Sequence, residues 1–190
     1  MTTAPVPAPA VSVGRLDRIR GGDLHDLCDA AELAIVEGGG FGWVKPPPRD
    51  TMERYWGGVV VMPGRHLFVG RLDEVIAGAI QLVEPPANNE AQSFAAGVNG
   101  MFVAPWARGH GLARMLVEAA ETEARARGYG LLTLDVRETQ AAAIRLFESL
   151  GFVRWATNPY YARVNGRLIG GCYFHKPLIP LTEAGQDPTP

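Results

Sequence analysis

The stretch Met101-Phe-Val-Ala-Pro-Trp-Ala-Arg-Gly-His-Gly-Leu-Ala-Arg114 contains the residue types and spacing that a bound diphosphate requires. A run of backbone N–H groups in such a loop points outward and forms a concave anion site. Gly109 and Gly111 let a phosphate approach the backbone with no Cβ in the way. A helix starting directly behind the loop adds unpaired N–H groups and the positive end of its dipole, worth ~0.3–1 kcal/mol. Arg108 and Arg114 can add charge-assisted bonds. Two familiar phosphate loops are excluded. A Walker loop needs Gly-Lys-Ser/Thr, and neither lysine, Lys45 or Lys176, lies in a glycine loop. A dinucleotide fingerprint follows the first strand and carries a third glycine, which this segment lacks.

The elements that must hold this loop follow from apolar periodicity and its interruptions. Val11 to Leu16 predicts a strand, and Leu24, Leu27, Ala31, Ala34 and Ile35 predict a helix after Asp23, stopped by Gly38-Gly39-Gly40. A second helix is predicted from Asp50 to about Gly57, then strands over His66–Arg71 and Val75–Val83 joined by Leu72-Asp73-Glu74. Glu84 to Ser93 reads as a loop and Val98 to Val103 as a strand. Leu112 to Arg127 is the clearest helix, with Gly128 as its stop. Leu131 to Val136 is a strand, and Thr139 caps a helix ending at Gly151. Beyond it lie a partly extended segment and a hairpin at Asn165-Gly166. The order β, α, α, β, β, β, α, β, α, β, β predicts an α+β fold on a mixed, largely antiparallel sheet.

Composition narrows the function. The chain has 190 residues and a net charge of −2, so a broad nucleic-acid face is not expected. Cys28 and Cys172 are too few for a disulfide framework, and His25, His66 and His175 lack metal-ligand spacing, so no metal is expected. No apolar run approaches the ~18 residues of a membrane span, and the proline-broken start has no basic n-region. The cytoplasm is the expected location. Residues 1–10 and 179–190 read as disordered tails around one domain, 11–178.

Two segments carry a resemblance. Arg108-Gly-His-Gly-Leu-Ala113 is similar to the Gln/Arg-x-x-Gly-x-Gly/Ala loop of the GNAT-superfamily N-acetyltransferases. Leu134-Asp-Val-Arg-Glu-Thr-Gln-Ala-Ala-Ala-Ile-Arg-Leu-Phe-Glu-Ser-Leu-Gly-Phe152 resembles the family's second motif, which usually closes on Leu-Tyr-Glu-x-Leu-Gly-Phe. The resemblance implies a twisted sheet flanked by helices, with an acyl-CoA cleft between splayed strands four and five. It implies transfer of an acetyl group from acetyl-CoA to a primary amine of a small molecule or peptide, by direct attack. The alternative is a non-catalytic acyl-CoA-binding module or sensor. Members often dimerise, so a homodimer is among the expected states.

Carried onto this chain, the resemblance gives backbone groups of Met101, Phe102 and Val103 to the pantetheine arm, with the oxyanion donor near Phe102 or Val103. It gives Arg108, Gly109, His110, Gly111, Leu112, Ala113 and Arg114 to the pyrophosphate. Gln140 stands where members commonly have an Asn touching the CoA arm, and Phe147 where many have a Tyr that protonates the leaving thiolate. A thiolate of pKa near 8.5 leaves tolerably without that acid. Tyr160 and Tyr161 are substitutes by position. The acceptor amine must lose a proton, which a carboxylate can take. Asp135, twelve residues before Phe147, matches the base position of ribosomal-protein N-terminal acetyltransferases; Glu84 is the second candidate. Phe41 and Trp43 fall in the loop that borders the acceptor site in the family.

Overall fold

A computed structural model of the chain describes residues 8–39 and 42–179. Seven strands and four helices follow in the predicted order: β1 (Val11–Arg15), α1 (Asp23–Val36), α2 (Arg49–Val61), β2 (Arg65–Leu72), β3 (Val75–Val83), β4 (Ala95–Val103), α3 (Leu112–Ala126), β5 (Leu131–Arg137), α4 (Ala141–Ser149), β6 (Val153–Val164) and β7 (Arg167–Pro177). The strands form a seven-stranded sheet in the order β1-β2-β3-β4-β5-β7-β6. β1 pairs antiparallel with β2, β5 with β7 and β6 with β7, while β4 and β5 run parallel from Ala95↔Leu131 to Gly97↔Thr133. Ala10, expected in a tail, exchanges backbone and side-chain hydrogen bonds with Asp73.

The fold comprises two compact units. Among the described residues, one holds those up to Gln81 together with Gly100–Ala119, the other Leu82–Asn99 together with Ala120–Ile179. In the first, Leu27, Ala31 and Ile35 of α1 and Met52, Trp56 and Val59 of α2 pack with Leu67, Val69, Ile76 and Phe102. Leu112 of α3 packs instead with Leu72, Ala77 and Val103. Neighbouring strand residues such as Ile76 and Ala77, or Phe102 and Val103, point to opposite faces, so the two clusters cover both sides of these strands.

In the second unit Phe147 lies against Phe152 and Phe174, with ring centroids 5.5 and 6.4 Å away. Lys176 Nζ sits 2.6 Å from Glu121 and 5.7 Å from the Phe152 ring centre. Burial works to raise the Glu121 carboxyl, but hydrogen bonds from Lys176 and Arg125 hold it below its ordinary range.

Several boundaries depart from the sequence reading, and β4 begins at Ala95 rather than Val98. α2 runs through Gly57-Gly58 to Val61 because Trp56 and Val59 are buried, and this packing offsets the poor helix propensity of glycine. α4 begins at Ala141 with Gln140 as N-cap and no side-chain capping bond, so Thr139 is not the cap. The loop before β4 includes a short 3₁₀ turn, Glu90–Gln92. Both predicted hairpin turns hold: Asp73 and Glu74, and likewise Asn165 and Gly166, have positive φ, as a primed two-residue turn demands.

Candidate active site

β4 delivers the anion loop. It ends at Val103, a 3₁₀ turn over Pro105–Ala107 follows, and α3 starts at Leu112. Gly109 and Gly111 have φ of +85° and +79°, and a Cβ built on either meets nothing within 4 Å. The backbone is therefore held left-handed with open space beside it. No acidic side chain occupies the first turn of α3. His110 is exposed, Leu112 is buried and anchors the helix start, and Ala113 is half-buried. Arg108 donates to Glu37 at 2.5 Å, and Arg114 stands 3.7 Å from Glu118; all four side chains are about half exposed. These features suit a pyrophosphate: room beside the left-handed glycines, an acid-free helix start, and two half-exposed cations.

The same unit holds the central part of the site by a second glycine. Gly100 has φ of +59° within β4, and a Cβ there would lie 2.9 Å from Gln81 Nε2. Gln81 is 1% exposed; it accepts from Arg65 at 2.7 Å and donates to the Tyr55 hydroxyl at 2.9 Å. A left-handed residue inside a strand kinks it and re-aims the residues that follow. Here these are Met101, half-buried, Phe102, packed 6.0 Å from Trp56, and Val103. Trp43 meets the Tyr55 ring edge-on at 5.0 Å, whereas Phe41 lies outside the described residues.

The second unit carries the candidate acid–base groups. Leu132, Leu134 and Val136 of β5 are buried, which puts Leu131, Thr133, Asp135 and Arg137 on the other face. The Tyr161 hydroxyl donates to Asp135 Oδ2 in a short hydrogen bond. Burial, then the bond to Asp135, pushes the Tyr161 phenol well above its ordinary range. Tyr160 is exposed. Glu84 accepts from Arg127 at 2.9 Å. It lines a cavity of about 320 Å3 with Asn89, Gln92, Phe94, Asn99 and Thr133. Gln140 is half-buried at the N-cap of α4, and Phe147 is buried among the rings named above.

Known proteins bear on this arrangement. The model of the acetyltransferase (GNAT) family matches residues 31–152. The chain belongs to the GNAT family. An uncharacterized N-acetyltransferase from the hisH–hisA intergenic region of Azospirillum brasilense is 65% identical over 130 residues, which cover 68% of this chain and 77% of the relative. An N-acetyltransferase from Staphylococcus aureus Mu50 superposes with a TM-score of 0.76 at 18% identity, covering 90% of this chain and 99% of its own. YncA from Salmonella typhimurium, solved with its cofactor acetyl-CoA, superposes with a TM-score of 0.74 at 19% identity, covering 95% and 99%. This GNAT chain is thus an acyltransferase by family and shares the fold of those structures.

Two features near these residues are absent from the sequence reading of this GNAT chain, and only one of them leaves a signal there. Gly100 is visible as a glycine inside a strand pattern, a signal for a bulge. Gly171 gives no such signal, because what it accommodates is Tyr161, ten residues away across a strand pair whose register is irregular.

Proposed function

We propose that this chain transfers an acetyl group from acetyl-CoA to a primary amine by direct attack on the thioester. The supporting observation is the Arg108–Arg114 loop, whose open left-handed glycines and acid-free helix start fit a pyrophosphate. Backbone groups of Met101, Phe102 and Val103 hold the pantetheine arm, and Gln140 and Phe147 belong to the wall on the CoA side. Acetyl-CoA supplies an activated acyl carbon whose leaving group, a thiolate, needs little help. Asp135 takes the proton of the acceptor ammonium, which frees the nitrogen lone pair to form the amide. Asp135 suits that task better than Glu84, whose oxygen is held by the Arg127 guanidinium. The acceptor is assigned to the cavity beside Thr133, on the β5 face that also carries Asp135. Its size is at the small end of ligand sites, which run roughly 300–1,000 Å3. With a net charge of −2, the chain favours a cationic amine or basic peptide end over an anionic acceptor.

Calorimetric titration with acetyl-CoA tests the cofactor half of the reading, run beside an Arg108→Ala, Gly111→Asp double variant. Micromolar binding that the variant loses is the expected result. Release of free thiol with a panel of amines then tests turnover. Binding without thiol release from any amine leaves the sensor reading in its place, and no heat with any acyl-CoA overturns both.

A further inference from the structure

Tyr161 reaches Asp135 by way of an unusual cradle. β5, β7 and β6 lie side by side, and Asp135 is opposite Tyr173 on β7. Gly171, two residues before Tyr173, is paired with Arg137 on one side and Asn158 on the other. Between Asn158 and Ala162 the β6–β7 register shifts, and Tyr161 falls in that irregular stretch. A Cβ at Gly171 would overlap the Tyr161 ring, so the bare backbone of Gly171 is the seat on which this ring lies. Tyr173 meets the same ring edge-on, with centroids 6.1 Å apart. The phenol, packed from below and from one side, is aimed at Asp135 Oδ2.

We propose that Tyr161 is a positioning residue: seated on Gly171, it holds Asp135 Oδ2 and leaves Oδ1 as the oxygen that takes the acceptor's proton. The proposal rests on Asp135 being the general base. Its proton balance is simple. One proton passes from the ammonium to Oδ1 and later to water, while the Tyr161 proton stays on its own oxygen. The hydrogen bond ties one carboxylate oxygen of Asp135 and leaves the other open. It also fixes the carboxylate rotamer, which an exposed Asp otherwise explores. Tyr161 is thereby taken out of the role of acid for the thiolate, because its one O–H is committed.

Other charged and polar groups flank Asp135. They include Arg137, two residues on in β5, and Glu138 just beyond the strand, which accepts from the Gly170 N–H at 3.0 Å. On β7 they are Tyr173, directly opposite, and His175, opposite Thr133. On β6 the contact is Tyr161 itself. None of these changes when the Tyr161 hydroxyl alone is removed.

The experiment is a pH profile of kcat/KM for the acceptor in wild type, Tyr161→Phe, Gly171→Ala and Asp135→Asn. Tyr161→Phe keeps the ring and its packing. It should lower kcat roughly ten- to a hundredfold and leave the KM for acetyl-CoA unchanged. Gly171→Ala, checked for folding by circular dichroism, should lower kcat in the same way because it unseats the ring. Asp135→Asn should cost roughly 10²–10⁴ in kcat/KM. An unchanged kcat in Tyr161→Phe, with Asp135→Asn inactive, overturns the positioning role and leaves the base in place. Loss of the alkaline limb in Tyr161→Phe overturns it in favour of a tyrosine acid. Full activity in Asp135→Asn instead defeats the base reading from which the inference starts.

Discussion

Arg108, proposed to hold the phosphates, has its guanidinium paired with Glu37, the residue that caps α1. A pyrophosphate at the proposed Gly109–Gly111 site would compete with that carboxylate for the same guanidinium. Half-exposed pairs of this kind are worth about 0–1 kcal/mol. Glu37→Gln should therefore tighten acetyl-CoA up to about fivefold by calorimetry, with the gain fading in high salt. A Kd unchanged in both Glu37→Gln and Arg108→Ala means that Arg108 does not contact the phosphates. Residue type made Arg108 and Asp135 legible in the sequence, since guanidinium and carboxylate chemistry is intrinsic to the side chain. Their partners were not legible: Glu37 lies 71 positions from Arg108 and Tyr161 lies 26 from Asp135. Gly171 was hidden for a further reason, because its role exists only once the β6–β7 register has slipped.

Among the elements, the contrast between glycines decides where substitution helps. Gly57 and Gly58 sit inside α2 without positive φ, and an added Cβ there meets nothing. Gly57→Ala should stabilise the protein by about 0.5–1 kcal/mol, through a less flexible unfolded chain and better helix propensity. For a chain of this length that is about 2–3 °C in Tm by calorimetry. Gly78→Ala should do the reverse, because its Cβ would lie 2.6 Å from the Phe102 carbonyl oxygen and disturb β4. A lower Tm for Gly57→Ala counts against the open helix face described here. The existence and order of the elements were readable because the apolar periods of α1, α3 and β3 are long and uninterrupted. The end of α2 was not, since local propensity argues for a stop at Gly57 and tertiary burial of Trp56 and Val59 overrules it. Thr139 failed as a cap for a related reason. Its residue type is right, but the chain turns into the helix one position later.

For the molecule as a whole, each compact unit carries one free cysteine, and both are fully buried: Cys28 in the first and Cys172 in the second. Burial, moderated by Arg49, pushes the Cys28 thiol up to about 11. A thiol protonated in the fold but ionised when unfolded stabilises the native state below its unfolded pKa. That stability is lost as pH rises from about 9 towards 11. Chemical denaturation at pH 8 and at pH 10.5 should show the loss, and Cys28→Ala should reduce it. Neither cysteine should react with an aromatic disulfide at pH 8 before unfolding. Fast labelling of the native protein would show that one of the two cores opens.

The ion pair that ties Lys176 to Glu121 also bears on what the catalyst does to itself. This chain has sixteen arginines but two lysines, and guanidinium groups are not acyl acceptors under these conditions. Lys176 is 17% exposed, with its ammonium held by a carboxylate and set over an aromatic ring, so an acyl donor has little room to reach it. Lys45 is then the one exposed lysine amine. An enzyme that works next to an activated acyl donor thus exposes few lysine amines of its own to that donor.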